Sequence, residues 1–132
     1  MTNPSQHFQE FADAVNYITV TKGAYCILDP HNYMRYNNPS QQPMTGSIIG
    51  DTSDVTAATT AQFAAFWGEL ASRFKSNEKV IFGLMNAVRW LTLYWSTLSI
   101  DNAQPHDMDN NLVLTNDQAA INAIRAVGAY QL

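Results

Sequence analysis

Two short apolar runs, "AYCILDP" at residues 24–30 and "KVIFGLMN" at 79–86, limit what this chain can fold into more than any other feature. Each is too short for an ordinary buried helix. An uninterrupted apolar run of that length predicts a strand buried on both faces, as in a parallel sheet. Parallel strands need a crossover, and an amphipathic stretch lies between them. Phe63, Phe66, Trp67, Leu70 and Phe74 repeat at helical spacing and predict a helix over 60–75, ended by Ser76 and Asn77. Phe8, Phe11, Val15 and Ile18 predict an earlier helix over 7–21, closed by Gly23. Ala119, Ile124 and Val127, with Ile121 a weaker member, predict a third over 115–127, capped by Thr115 or Asn116 and ended by Gly128. Helix, strand, helix, strand, helix is the order of an α/β fold. An open sheet and a barrel both satisfy it. In either, ligands bind beyond the carboxyl ends of the strands.

Composition removes several functions. The chain has 132 residues, enough for one modest domain, and its net charge is -4 with seven scattered Lys and Arg. No basic face forms, so no nucleic-acid partner is expected. The longest apolar stretch, "WLTLYWSTLSI", falls well short of the roughly 20 residues of a membrane-spanning helix, so no membrane role is expected. Cys26 is the only cysteine; it cannot form an intrachain disulfide and reads as a buried, inert thiol. "MTNPSQHFQEF" has neither a positive start nor an apolar core, so no signal peptide is expected.

Chemistry is confined to the two strand ends. After the first strand, "DPHNYMRYN" offers Asp29, His31, Asn32, Tyr33, Arg35 and Tyr36, hydrogen-bonding groups mixed with flat aromatic rings, which suits sugars. The same groups also suit a loop that caps its own backbone. Residues 31–60, rich in Asn, Pro, Ser, Thr and Gly, read as a long ordered loop, which is uncommon without a function. "PHDMDNN" places Asp107, Asp109 and Asn111 at calcium-loop spacing, but Leu112 and Gln118 stand where Gly and Glu are required. No spacing joins His31 and His106 in a metal site, and no cofactor is expected. Glu10, Glu69 and Glu78 fall on helices or just before a strand.

Three blocks are more specific: "VNYITVTKGAYCILDPHNYMRYN", "FWGELASRFKSNEKVIFGLMN" and "PHDMDNNLVLTNDQAAINAIRAVGA". Together they resemble fungal endo-β-1,4-glucanases of glycoside hydrolase family 5, in order and over almost the whole chain except 87–104. The resemblance implies a (β/α)8 TIM barrel, of which the two strands here would be the third and fourth. It implies a typically secreted enzyme that cleaves internal β-1,4 bonds of cellulose-like glucan. Retaining glycosidases of this kind use two carboxyl groups about 5–5.5 Å apart, one an acid and base, the other a nucleophile. It further implies that His31 is the active-site His of the third strand. Asn86 would be the Asn that binds the sugar 2-hydroxyl. Asn32, Tyr33 and His106 would line the cleft.

The pattern also breaks. In the family the fourth strand ends Asn-Glu-Pro, and that Glu is the acid/base. Here Ala87 follows Asn86, Gln104 precedes Pro105, and residues 87–104 stand in place of the one Glu. An amide cannot lend a proton as a carboxylic acid does. The family's nucleophile comes from the seventh strand, which these blocks do not reach. The expectation is therefore a partial catalytic domain over 1–132, interrupted at 87–104 by an insert of the size of a short in-frame intron. It is expected to be inactive as given, its alternative role that of a carbohydrate-binding or partner-binding fragment.

Overall fold

In the computed structural model, residues 4–39, 46–85 and 108–131 are described. The interrupted segment 87–104, together with Asn86 and His106, lies outside them.

The central helix starts where its sequence supplies a cap. Thr59 accepts a hydrogen bond from the Gln62 backbone N–H, and the Gln62 side chain accepts one from the Thr59 N–H at 2.8 Å, a reciprocal capping box. This helix, α2 (Thr60–Phe74), buries Phe63, Trp67, Ala71 and Phe74 and leaves Phe66 partly exposed. It bridges strands β1 (Cys26–Leu28) and β4 (Val80–Phe82), which pair in parallel with Cys26 opposite Val80 and Leu28 opposite Phe82. A crossover helix over a parallel pair is the βαβ unit that the two apolar runs imply. Between β1 and α2 the chain forms a two-residue antiparallel pair, β2 (Arg35–Tyr36) with β3 (Ser47–Ile48), inside what reads from sequence as an unbroken loop.

The first helix, α1 (Pro4–Asn16), begins earlier than its apolar stripe suggests and runs on as a π-helical turn, Tyr17–Thr21. It lays Phe8 and Phe11 against Phe74, with ring centroids 6.3 and 6.1 Å away. The last helix, α3 (Asn110–Ala126), also starts earlier than 115. Its cap is Asp109, whose carboxylate accepts the Asn111 N–H at 2.8 Å. Neither Thr115 nor Asn116 caps it, and the buried stripe is Val113, Asn116, Ala120 and Ile124, which keeps the predicted Ile124, with Val127 packed against the core, and buries Ala120 in place of Ala119.

Helices α2 and α3 run in the same direction, since Thr60 meets Asn116 near their starts and Lys75 reaches the Val127 carbonyl near their ends. Midway, Gly68 faces Ala123: a Cβ added there would stand 3.5 Å from that of Ala123, in ordinary contact. After α3 the chain returns to the sheet: Phe82 N–H donates to the Gln131 carbonyl at 3.2 Å, on the side of β4 away from β1. Strand, helix, strand, helix and a third pass at the sheet is the repeat of a β/α barrel.

The strands are not buried on both faces. Leu28, Val80 and Phe82 are covered by the helices, with Cys26 half-buried on the same face as Leu28, but Ile27 on the other face is 66% exposed. Side chains alternate across a strand, so helices on one side cover every second residue. The other face is the one a barrel turns inward, and two strands cannot enclose an interior.

One carboxyl is held against its preference. Asp117, half-buried on α3, has an Oδ1 with no hydrogen-bond partner among the described residues, and burial pushes its pKa from 3.8 up to about 6. The folded chain then binds this proton more tightly than the unfolded one. Asp117 costs nothing below pH 3.8, costs progressively more as pH rises towards 6, and its penalty is constant above that. We expect Asp117→Asn to stabilise the chain above pH 6 by on the order of 1 kcal/mol, allowing for solvent screening. Urea midpoints at pH 4 and 7 for both proteins check it: the gain must vanish at pH 4, and an equal gain at both pH values would refute it.

Candidate functional site

The carboxyl ends of β1 and β4 both carry backbone in the left-handed region without glycine. His31, Tyr33 and Met34 have φ of 44°, 52° and 54°, and Met85, just past β4, has 41°. Such residues cost roughly 1–2 kcal/mol each and persist where their surroundings hold them. Here the holders are visible. Asp29 accepts the His31 backbone N–H at 2.9 Å with Oδ1 and stands 3.0 Å from the ring Nδ1 with Oδ2. Asn32 Nδ2 donates to the Arg35 carbonyl at 2.7 Å, and Arg35 Nη1 to the Gly46 carbonyl at 3.0 Å. Met34, fully buried, pins the turn from below, and its carbonyl accepts the Ile49 N–H at 3.0 Å.

Asn116 anchors the far end of the loop. It is fully buried, donates from Nδ2 to the Ile49 carbonyl at 2.7 Å, and accepts the Thr60 hydroxyl at 2.6 Å. Gly50 passes beside it with φ 85°. A Cβ there would fall 2.8 Å from both Leu112 Cδ1 and Thr60 Oγ1, so no other residue fits. One amide on α3 thereby ties the loop to both helices.

The turn presents His31 and Tyr33 outward, their rings edge to face with centroids 5.4 Å apart. Asn32 instead lines a cavity of about 720 Å³ between the loop and the first turns of α2. That cavity also takes in Arg35, Tyr36, Gln62, Phe66 and Met85, and reaches the end of each strand, but neither His31 nor Tyr33 lines it. The structure therefore splits the three candidates. His31 and Tyr33 form one exposed pair at the strand end, and Asn32 belongs to the loop's inner side, spending its Nδ2 on the backbone. Asn86 and His106 lie outside the described residues. Sequence reading named Asp29 and Arg35 in the loop without a role, and took Thr115 or Asn116 for a cap. The spacing Asp-x-His could have suggested that Asp29 grips the N–H two residues on; nothing local marks Asn116.

Among the described residues no three His, Cys, Asp or Glu side chains gather as a metal site would need. No described helix is long and apolar enough to cross a membrane. Of the glutamates, Glu10 lies on α1 and Glu69 on α2, where it pairs with Arg73 at 2.8 Å; Glu78 precedes β4. None stands at the carboxyl end of a strand.

Residues 1–132 match the cellulase family, glycosyl hydrolase family 5. The chain is 63% identical over 126 residues to Endoglucanase 1 of Robillarda sp. (strain Y-20), covering 96% of this chain and 28% of that protein. It is 43% identical over 124 residues to Endo-beta-1,4-glucanase A of Emericella nidulans, covering 94% of this chain and again 28% of the relative. The crystal structure of Cel5A (EG2) from Hypocrea jecorina (Trichoderma reesei) superposes with a TM-score of 0.68 at 31% identity, over 99% of this chain and 31% of that one. The chain thus spans under a third of the length of these relatives.

Proposed function

The chain belongs to glycosyl hydrolase family 5, the cellulases, and from that premise we propose that it forms part of the glucan-binding wall of a retaining endo-β-1,4-glucanase barrel. The substrate class is cellulose-like β-1,4-glucan. His31 offers a ring nitrogen to a sugar hydroxyl and Tyr33 an aromatic face to a pyranose ring. The family pattern implies the same sugar-binding role for Asn86 and His106, which lie outside the described residues. The single observation that carries this reading is the position of the His31–Tyr33 pair, which a strained, hydrogen-bonded turn holds outward at the carboxyl end of β1. Ligands bind at that end of a β/α barrel.

Hydrolysis is a separate matter. The acid must be a carboxyl group held protonated and the nucleophile a second, ionised one about 5–5.5 Å from it. Glu10, Glu69 and Glu78 are the only glutamates of the 132 residues, and each sits on a helix or ahead of a strand. We expect the 132-residue chain to release no reducing sugar from soluble cellulose. We expect it to bind cello-oligosaccharides weakly, near millimolar or about −4 kcal/mol, by titration calorimetry. Measurable hydrolysis would overturn the first expectation, and a flat isotherm the second.

A further inference from the structure

We propose that Asp29 is a positioning residue that sets which nitrogen of His31 faces the glucan. The geometry is a two-point grip. One carboxylate oxygen takes the His31 backbone N–H at 2.9 Å, which fixes the turn. The other stands 3.0 Å from Nδ1 of the same residue's ring. A carboxylate only accepts hydrogen bonds, so Nδ1 must carry the proton. Neutral His31 is then the Nδ1–H tautomer, with the lone pair on Nε2, the ring atom farthest from Asp29. A free imidazole in water prefers the opposite tautomer. The His31 side chain is 62% exposed, so solvent alone would not impose this choice. The Asp29 side chain is 27% exposed, which screens the contact less than a fully exposed pair. Tyr33 stands edge to face with the imidazole, ring centroids 5.4 Å apart.

The consequence is chemical. A ring set this way accepts a hydrogen bond from a sugar hydroxyl at Nε2 and does not donate one. The inference that the accepted proton belongs to a glucan rests on the proposed function; the tautomer does not. Asp29→Asn separates the two roles of the grip. Its amide oxygen can still take the His31 backbone N–H, which keeps the turn. Its NH2 group would meet Nδ1 as a donor, which forces the ring proton to Nε2.

The experiment is two-bond 15N–1H correlation NMR of the 132-residue chain and of Asp29→Asn, with the imidazole neutral, followed by titration with cellotetraose. The expected result is Nδ1–H in the wild type and Nε2–H in the variant, with unchanged far-ultraviolet circular dichroism. Cellotetraose affinity is expected to fall about tenfold in the variant, the change of one hydrogen bond to a wrong donor. A wild-type ring protonated on Nε2, or one tautomer shared by both proteins, overturns the proposal. Where Asp29→Asn unfolds the chain, the wild-type spectrum alone still decides. A flat wild-type titration beside the expected tautomers would count against glucan binding and leave the positioning role standing.

Discussion

Trp67→Ala is expected to cost this chain about 3–5 kcal/mol, a large share of the roughly 5–15 kcal/mol that holds a small domain together. Trp67 is fully buried on the sheet-facing side of α2. Its ring stands edge to face with Phe63, Phe66 and Phe82, with centroids 6.2, 5.4 and 6.3 Å away. It therefore joins α2 to β4 and lies behind two residues of the cavity wall, Phe63 and Phe66. Truncation removes the aromatic contacts and leaves a cavity that only part of the neighbourhood can fill. Trp67→Phe should cost far less. The indole Nε1 is buried without a hydrogen-bond partner among the described residues, and losing such a donor offsets part of the lost packing. Urea unfolding of the three proteins checks the order. A loss below 1 kcal/mol for the alanine variant would show that the core is not built around this ring.

Asn116→Ala is expected to cost about 2–4 kcal/mol and to release the loop. Asn116 gives one hydrogen bond to the Ile49 carbonyl and takes one from Thr60, both inside the fold. Alanine strands the carbonyl and the hydroxyl together, and stranded buried groups cost more than the bonds themselves gain. Thr60→Val removes only one partner, so it should cost less. The two changes should be non-additive because they share a bond. Hydrogen exchange adds a spatial readout: the Ile49 amide, bonded to the Met34 carbonyl, should lose protection in Asn116→Ala while the amides of α2 keep theirs. Equal protection in variant and wild type would mean that Asn116 does not hold the loop.

How far these residues were legible in the sequence follows from the range of the forces on them. The stripe of α2 is local: Phe63, Trp67 and Phe74 recur with the helix period, and Thr59 with Gln62 marks its start. The short apolar runs are local too, and they do become the parallel pair β1 and β4. Asn116 sits within a helix at an apolar-stripe position, where a polar residue reads as an irregularity. Its partners are 67 and 56 residues away, so no window along the chain contains its reason. The cap of α3 was misplaced for a related cause. Asp109 lies inside a motif that read as a broken calcium loop, and its side chain instead takes the Asn111 N–H.

The left-handed turn at His31, Tyr33 and Met34 shows the same division. No glycine announces it, and each residue alone would avoid that conformation. It exists because Asp29 grips His31, Asn32 holds Arg35, and Met34 is buried. By itself, the sequence determined the α/β class, the order of its elements, the family and the residue types at the strand ends. It could do so because hydrophobic period, capping chemistry and the ordered family blocks are written along the chain. Only the tertiary structure decided that His31 and Tyr33 are exposed while Asn32 lines the cavity, that Asn116 binds the loop to both helices, and that Ile27 stays exposed. Those outcomes depend on groups brought together from distant positions, and on which face of the sheet the helices cover.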